Sequence, residues 1–226
     1  MTGRAHKITS EIFQVGGSGL TAPEDAAIYL IRFGDQAALV DAGCGYETER
    51  LEENIRSAGT VPGNLRYLLL THCHFDHTGG AMALRESLKL PVIAHELDAP
   101  YLEQGDPQVT AASWYGAAPS PCPVDRKLRN AEETISLGDG EITAIHVPGH
   151  SPGSVVYVTR SDDRTVLFGQ DVHGPLHPTL LSNEADYRRS LQRLLAIEAD
   201  ILCEGHFGIL DGKKSVAKFI RSYLRA

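Results

Sequence analysis

Short apolar runs alternate along this chain with polar, glycine-marked turns. Ala26–Phe33 (AAIYLIRF) and Gln36–Gly43 (QAALVDAG) are separated by Gly34 and Asp35, residues that favour a tight hairpin. Two neighbouring strands are predicted there, and the first forty residues as a whole read as strand. Tyr46–Gly59 changes period. Leu51, Ile55 and Ala58 fall at i, i+4 and i+7, one face of a helix that Gly59 ends. Leu65–Leu70 (LRYLLL) is short and continuously apolar, as in a strand buried on both faces. His77–Leu88 returns to helical spacing, with Ala81, Leu84 and Leu88 on one face, and Pro91–Ala94 (PVIA) is another strand.

Residues 104–130 break the pattern. They hold Pro107, Pro119, Pro121, Pro123 and the only tryptophan, Trp114; irregular segments this long are functional or disordered. Beyond them, Glu141–Val147, Ser154–Thr159 and Thr165–Gly169 read as strands, Glu184–Ile197 as a helix, Asp200–Glu204 as a strand and Lys213–Leu224 as a helix. Strands and helices in both halves imply a layered α/β protein. A length of 226 residues suits one domain over 1–226, with 104–130 as a substrate-side insertion or lid.

Composition narrows the partners. Lys and Arg number 21 and Asp and Glu 29, a formal charge of −8, which argues against nucleic acid as the main partner. No apolar run approaches the ~20 residues of a membrane span, and the N-terminus lacks the apolar stretch of a secretory signal, so a cytoplasmic location is expected. Cys44, Cys73, Cys122 and Cys203 form no C-x-x-C pair and read as reduced thiols.

The chemistry concentrates at strand ends. In Leu68–Gly80 (LLLTHCHFDHTGG), His72, His74, Asp76 and His77 follow a predicted strand. His150 in PGHSPGS, Asp171 in GQDV and His206 in EGH follow three more. Ligands of α/β sheets gather beyond the carboxyl ends of strands, so four strands can deliver these groups to one place. Five histidines and two aspartates exceed the three protein ligands of one catalytic zinc. They suit two divalent ions with a shared carboxylate, and imidazole with carboxylate suits zinc, iron or manganese. Two such ions, two aspartates and one hydroxide leave about +1, favourable to an anionic or polarised small-molecule substrate. Paired ions hold hydroxide at neutral pH and polarise a scissile carbonyl or phosphoryl oxygen.

The T-H-C-H-F-D-H run (Thr71–His77) resembles the H-x-H-x-D-H signature of the metallo-β-lactamase superfamily. LVDAG (Leu39–Gly43), PGHSPGS, GQDV and EGH follow in the family's order. The resemblance implies an αββα sandwich of two mixed sheets with a dinuclear site along one edge. It further implies that His72, His74 and His150 hold one metal, most often Zn2+, that Asp76, His77 and His206 hold the other, and that Asp171 bridges. Asp76 and Asp171 then serve catalysis, in which a bridging hydroxide attacks an ester, thioester, lactone or phosphoester. Asp41 resembles the aspartate that orients the histidine loop by hydrogen bonding. The spacing is most similar to the glyoxalase II-like and lactonase-like branch. However, HGPLHP (His173–Pro178) replaces the Gly-Cys-Gly-Arg stretch of glyoxalase II enzymes, and Gly174 stands where lactonases place a tyrosine.

Other residues carry weaker expectations. His95, after PVIA, suits a supporting or substrate role, and His173 and His177 suit a general acid or substrate contact. His146, inside a strand, and Cys73, between two donors, read as structural. Trp114 and Tyr115 suit a lid or substrate wall, and equally a satellite hydrophobic cluster or homodimer contact. Two rival functions remain at this stage, an iron redox enzyme similar to sulfur dioxygenases and a non-catalytic metal-binding protein.

Overall fold

The structure is a computed structural model that describes residues 5–169 and 171–224. Its strands are β1 (His6–Lys7), β2 (Ile12–Gly16), β3 (Ile28–Phe33), β4 (Gln36–Val40), β5 (Leu65–Leu69), β6 (Val92–His95), β7 (Arg126–Leu128), β8 (Glu132–Leu137), β9 (Gly140–His146), β10 (Val155–Ser161), β11 (Arg164–Phe168), β12 (Ile201–Cys203) and β13 (Ile209–Asp211). Its α-helices are α1 (Thr48–Ser57), α2 (Phe75–Thr78), α3 (Ala81–Leu88), α4 (Ala99–Gln104), α5 (Glu184–Ile197) and α6 (Lys213–Leu224).

The strands form two mixed sheets. The first runs β1 to β7 in sequence order, antiparallel through β4 and parallel from β4 to β7. The second runs β13-β12-β11-β10-β9-β8, with only the β11–β12 pair parallel. Alternation along the strands explains the continuous apolar runs. In β3, Ile28 and Leu30 pack toward α1 and α3, while Tyr29, Ile31 and Phe33 pack against the other sheet. In β10, Val155 and Tyr157 face the first sheet, and Val156 faces α5 and α6. Both faces of each sheet are therefore covered, giving a four-layer αββα sandwich. Each fully buried Leu, Ile or Val contributes about 1.5–3 kcal/mol.

Several elements differ from the sequence expectation. The helix predicted over 77–88 is two pieces, α2 and α3, parted at Gly79 and Gly80. These glycines pass beneath the loop after β4: a Cβ on Gly80 would lie 2.5 Å from the Ala42 carbonyl, and one on Gly79 2.6 Å from that of Cys44. The helix expected over 46–59 is shorter, Thr48–Ser57, and Gly59 beyond it has φ +81°. The 104–130 segment is not wholly irregular. It contains a 3-10 turn, Ala112–Tyr115, and the edge strand β7, where Arg126–Leu128 pair with Ile93–His95. β8 and β13 escaped detection as well, because β8 is mostly exposed and β13 has only three residues.

Two tyrosines tie the sheets together at one end. Tyr157 Oη donates to the Leu70 carbonyl at 2.9 Å, and Tyr29 Oη donates to the Glu204 carbonyl at 2.8 Å. Leu70 precedes the histidine-rich loop and Glu204 precedes His206, so these bonds set the separation of the two loops. β9, β11 and β12 run in the same direction within the second sheet, and their carboxyl ends open at this same edge.

Candidate metal centre

The histidine-rich loop is shaped by Asp41, which follows β4 with φ +64°. A non-glycine residue in this region is strained, and its carboxylate is heavily engaged. Thr71 donates its N–H to Oδ1 (2.8 Å) and its hydroxyl to Oδ2 (2.8 Å), and His77 donates Nδ1–H to Oδ2 (2.7 Å). Because the Thr71 hydroxyl donates to Asp41, its oxygen accepts from His72 Nδ1 at 3.0 Å. His150 Nδ1 donates to the Pro175 carbonyl at 2.9 Å. In each ring the Nδ1 proton is thus engaged and Nε2 is turned inward.

The seven predicted donors come together in two sets. Ligand atoms of His72, His74, His150 and Asp171 lie within 4.8 Å of one another, as do those of Asp76, His77 and His206. Asp171 spans the sets: Oδ1 is 3.0 Å from His77 Nε2 and 3.3 Å from His206 Nε2, and Oδ2 is 3.4 Å from His150 Nε2. Asp76 Oδ2 is 3.1 Å from His206 Nε2. A third set, Asp171, His173 and His206, overlaps the other two.

The residues fit a pair of cations. Nε2 of His72, His74, His77 and His150, and Oδ1 of Asp171, are buried without a hydrogen-bond partner. Four inward nitrogens and a carboxylate oxygen left unpaired together would each cost about 1–3 kcal/mol, and divalent ions satisfy them all. The charge pattern agrees. Burial, then the neighbouring imidazoles, holds His72 and His74 well below the ordinary histidine value. Burial opposes protonation of His77 too, but Asp171, Asp41 and Asp76 outweigh it and hold His77 well above that value. His206 is held up at about 10 against burial by the Asp171 and Asp76 carboxylates beside it. Asp171 stays well below the usual carboxylate range despite burial, chiefly through His77. Protons on His77 and His206 therefore occupy the electrostatic place of a cation.

Two buried carboxylates that sequence reasoning missed brace the donors. Asp98, fully buried, joins the two loops of the first set. It accepts from Cys73 N–H (3.0 Å), Ser151 Oγ (2.6 Å) and Gly153 N–H (2.6 Å). Glu204, equally buried, accepts from His206 N–H (2.7 Å), Phe207 N–H (2.9 Å) and His173 Nδ1–H (2.9 Å). Glu204 sits in the EGH motif, a signal that was present. Asp98 sits in the ordinary run His95–Pro100 (HELDAP) and carried none.

The remaining candidates separate. His95 ends β6 and stacks on His146, ring centroids 3.8 Å apart; it belongs to none of the donor sets. His146 Nε2 donates to the Pro152 carbonyl at 2.9 Å. Cys73 packs in the core between the first sheet and its helices, and the four cysteines are free. His177 Nδ1 accepts from Thr179 N–H, and its ring meets Trp114 edge-on at 5.4 Å. Tyr115 packs beside Phe75, the ring centroids 5.6 Å apart and the planes tilted by 47°. Burial first, then Asp76, raises the Tyr115 phenol above its ordinary value, so it remains a hydrogen-bond donor. No helix among the described residues is long and apolar enough to cross a membrane.

Comparison with known proteins gives the same frame. The model of the metallo-beta-lactamase superfamily matches residues 22–206. The chain is 32% identical over 239 aligned residues to the acyl-coenzyme A thioesterase MBLAC2 of Gallus gallus, covering 93% of this chain and 83% of that protein. It is 29% identical to the hydroxyacylglutathione hydrolase GloC of Haemophilus influenzae, over 60% of each chain. Among solved structures, a HARLDQ-motif mutant metallo-β-lactamase of Cronobacter sakazakii superposes with a TM-score of 0.80 at 24% identity, covering 98% of this chain and 94% of that one.

Proposed function

Because the chain belongs to the metallo-β-lactamase superfamily and is a metal-dependent hydrolase, we propose that it is a two-metal thioesterase acting on a small-molecule acyl thioester. One observation carries the two-metal part: two donor sets adjoin, with Asp171 of the first 3.0 Å from His77 and 3.3 Å from His206 of the second, and five buried ligand atoms lack a hydrogen-bond partner. The thioester part rests on the names of two relatives, one an acyl-coenzyme A thioesterase and one a hydroxyacylglutathione hydrolase. The missing Gly-Cys-Gly-Arg stretch favours an acyl thioester of a thiol other than glutathione.

His72, His74 and His150 would hold one ion and Asp76, His77 and His206 the other, with Asp171 between them. All donors are nitrogen or oxygen, the set that zinc accepts. Such ions supply an activated water at neutral pH and polarise the scissile carbonyl. The chain's own groups do the rest. Asp41, Asp98 and Glu204 hold the donors in place, so that no reorganisation is needed as charge develops. Tyr115, whose phenol burial and then Asp76 keep protonated, offers a hydrogen-bond donor to the cleft. His173 donates an Nδ1–H hydrogen bond to Glu204, which leaves the Nε2 lone pair to take a proton from the attacking water and pass it to the leaving sulfur. Hydrolysis consumes one water and yields a carboxylic acid and a thiol, so one water proton ends on sulfur and none is lost.

Metal quantification followed by a panel of thioesters, lactones and phosphodiesters tests the proposal. Two zinc ions per chain with thioester turnover are expected, and Asp171→Ala should bind fewer ions. Unchanged metal content in Asp171→Ala would sink the shared carboxylate. Iron with oxygen uptake and no thioester turnover would replace the hydrolytic reading with a redox one.

A further inference from the structure

We propose that an aromatic collar around the donors, with the cavity behind it, is an acyl-binding surface that takes an uncharged, medium-length chain. The assignment rests on the thioesterase reading for the nature of the ligand, and on separate observations for its place.

Large apolar side chains stay in solvent along the donor-bearing edge. Tyr46, Trp114, Tyr115, Leu176 and Phe207 are between 36% and 58% exposed. Exposed apolar groups gathered in one place mark a binding surface, whereas scattered ones do not. These are gathered. Tyr46 lies 6.2 Å from Phe75, and Phe75 lies 5.6 Å from Tyr115, while Phe75 itself separates the donors His74 and Asp76. Trp114 reaches across to His177, the neighbour of Leu176. Phe207 follows the donor His206 and lies 4.9 Å from the His173 ring. The insertion is also pinned to the donor loop, since Phe75 N–H donates to the Thr110 carbonyl at 2.8 Å.

Behind Leu176 and His173 lies a cavity of about 250 Å³, walled by Tyr187, Arg188, Tyr223 and Glu184. At about 30 Å³ for a water-sized group, it has room for roughly eight such groups. Part of its polar lining is already engaged. Arg188 donates to the Leu224 carbonyl at 2.9 Å and lies 3.9 Å from Glu184, and the Tyr187 hydroxyl donates to the Val172 carbonyl. The walls therefore offer the ring faces of Tyr187 and Tyr223 beside one cation and one anion that leave no net charge, which favours an uncharged alkyl chain over a charged terminus. His173 connects the cavity to the centre, because it lines the first and has a ligand atom within 4.8 Å of those of Asp171 and His206. A thioester with its carbonyl at the donors has this collar and cavity within reach of its acyl chain.

Trp114 is the only tryptophan, so intrinsic fluorescence reads this surface directly in metal-free protein. Octanoate should change the emission saturably, and acetate at equal concentration should not. Equal effects of both, or none from either, would overturn the proposal whatever the enzyme hydrolyses. In the metal-loaded protein, the ratio of kcat/KM for octanoyl over acetyl thioester should fall about tenfold in Trp114→Ala, the loss of one aromatic contact, and recover in Trp114→Phe. An unchanged ratio would also overturn it. Octanoate binding without turnover of any thioester would remove the thioesterase reading and leave the surface standing.

Discussion

Asp98→Asn isolates a single brace of the centre. Asp98 Oδ2 accepts from Cys73 N–H and Ser151 Oγ, and Oδ1 accepts from Gly153 N–H. An asparagine has one accepting oxygen and one donating nitrogen. If its oxygen meets Cys73, its amide meets Gly153 N–H; if it turns over, the amide meets Cys73 N–H. The Ser151 hydroxyl adapts, because it already shares a hydrogen bond with Ser154 Oγ at 2.9 Å. One buried backbone N–H therefore faces another donor in either orientation, at a cost of about 1–3 kcal/mol. In a chain of this size each kcal/mol lowers Tm by about 2–4 °C. Cys73 lies between His72 and His74, and Ser151 follows His150, so the same loss loosens all three imidazoles of the first set. Outer hydrogen-bond partners of metal ligands are worth about ten- to a hundredfold in affinity. Thermal melting of the metal-free protein by circular dichroism and chelator competition for zinc give the two readouts. An Asp98→Asn protein that melts with the wild type and binds both ions equally tightly would refute the reasoning.

Two further outcomes follow from the geometry. His206 is held at about 10 rather than 6.5, so in metal-free protein its paired proton stabilises fully below about pH 6.5. That contribution is lost as pH rises through about 10; His77 shifts in the same direction. The metal-free protein should therefore lose Tm with rising pH over this window, and zinc binding should tighten with pH and release protons. A pH-stat titration recording no proton release near neutrality would count against this. Gly149 has φ +133°, and a Cβ there would fall 2.2 Å from Tyr187 N. Gly149→Ala should thus cost about 2–6 kcal/mol, combining overpacking with backbone strain, and should weaken metal binding by moving His150. Wild-type denaturation and zinc affinity in that variant would show the close approach to be harmless.

The long, strongly periodic elements were legible in the sequence. α5 and α6 span the predicted Glu184–Ile197 and Lys213–Leu224, and the apolar runs of β3, β4, β5, β10 and β11 all became strands with both faces covered. The missed strands share a cause. β7, β8 and β13 lie toward sheet edges, where one side or face meets solvent and the apolar signal that marks a strand fades. The split between α2 and α3 was hidden for another reason. Gly79 and Gly80 keep helical backbone angles, so the local pattern reads through them. What interrupts the helix is the loop from Ala42 to Gly45 pressing against the glycines, a contact from a distant part of the chain.

The centre divides along the same line. Donor residues are readable because coordination demands particular atoms, and the spacing H-x-H-x-D-H places four of them on one short loop. The braces are harder to read because their identity is set by where two loops meet. Asp98 accepts from residues 25, 53 and 55 positions away, and no local pattern announces such a role. Glu204 differs, since two of its bonds go to the next turn of its own loop, at His206 and Phe207, which is why it lies inside a recognisable motif. The sheets convert both into one device. Tyr157 and Tyr29 bind the sheets at the donor end, Asp98 links the loops of the first set, and Asp171 touches both sets. A change in any of these linkages alters the distance between donors that belong to different strands. A two-ion centre of the kind proposed would tolerate such changes poorly, because Asp171 would have to reach both ions at once.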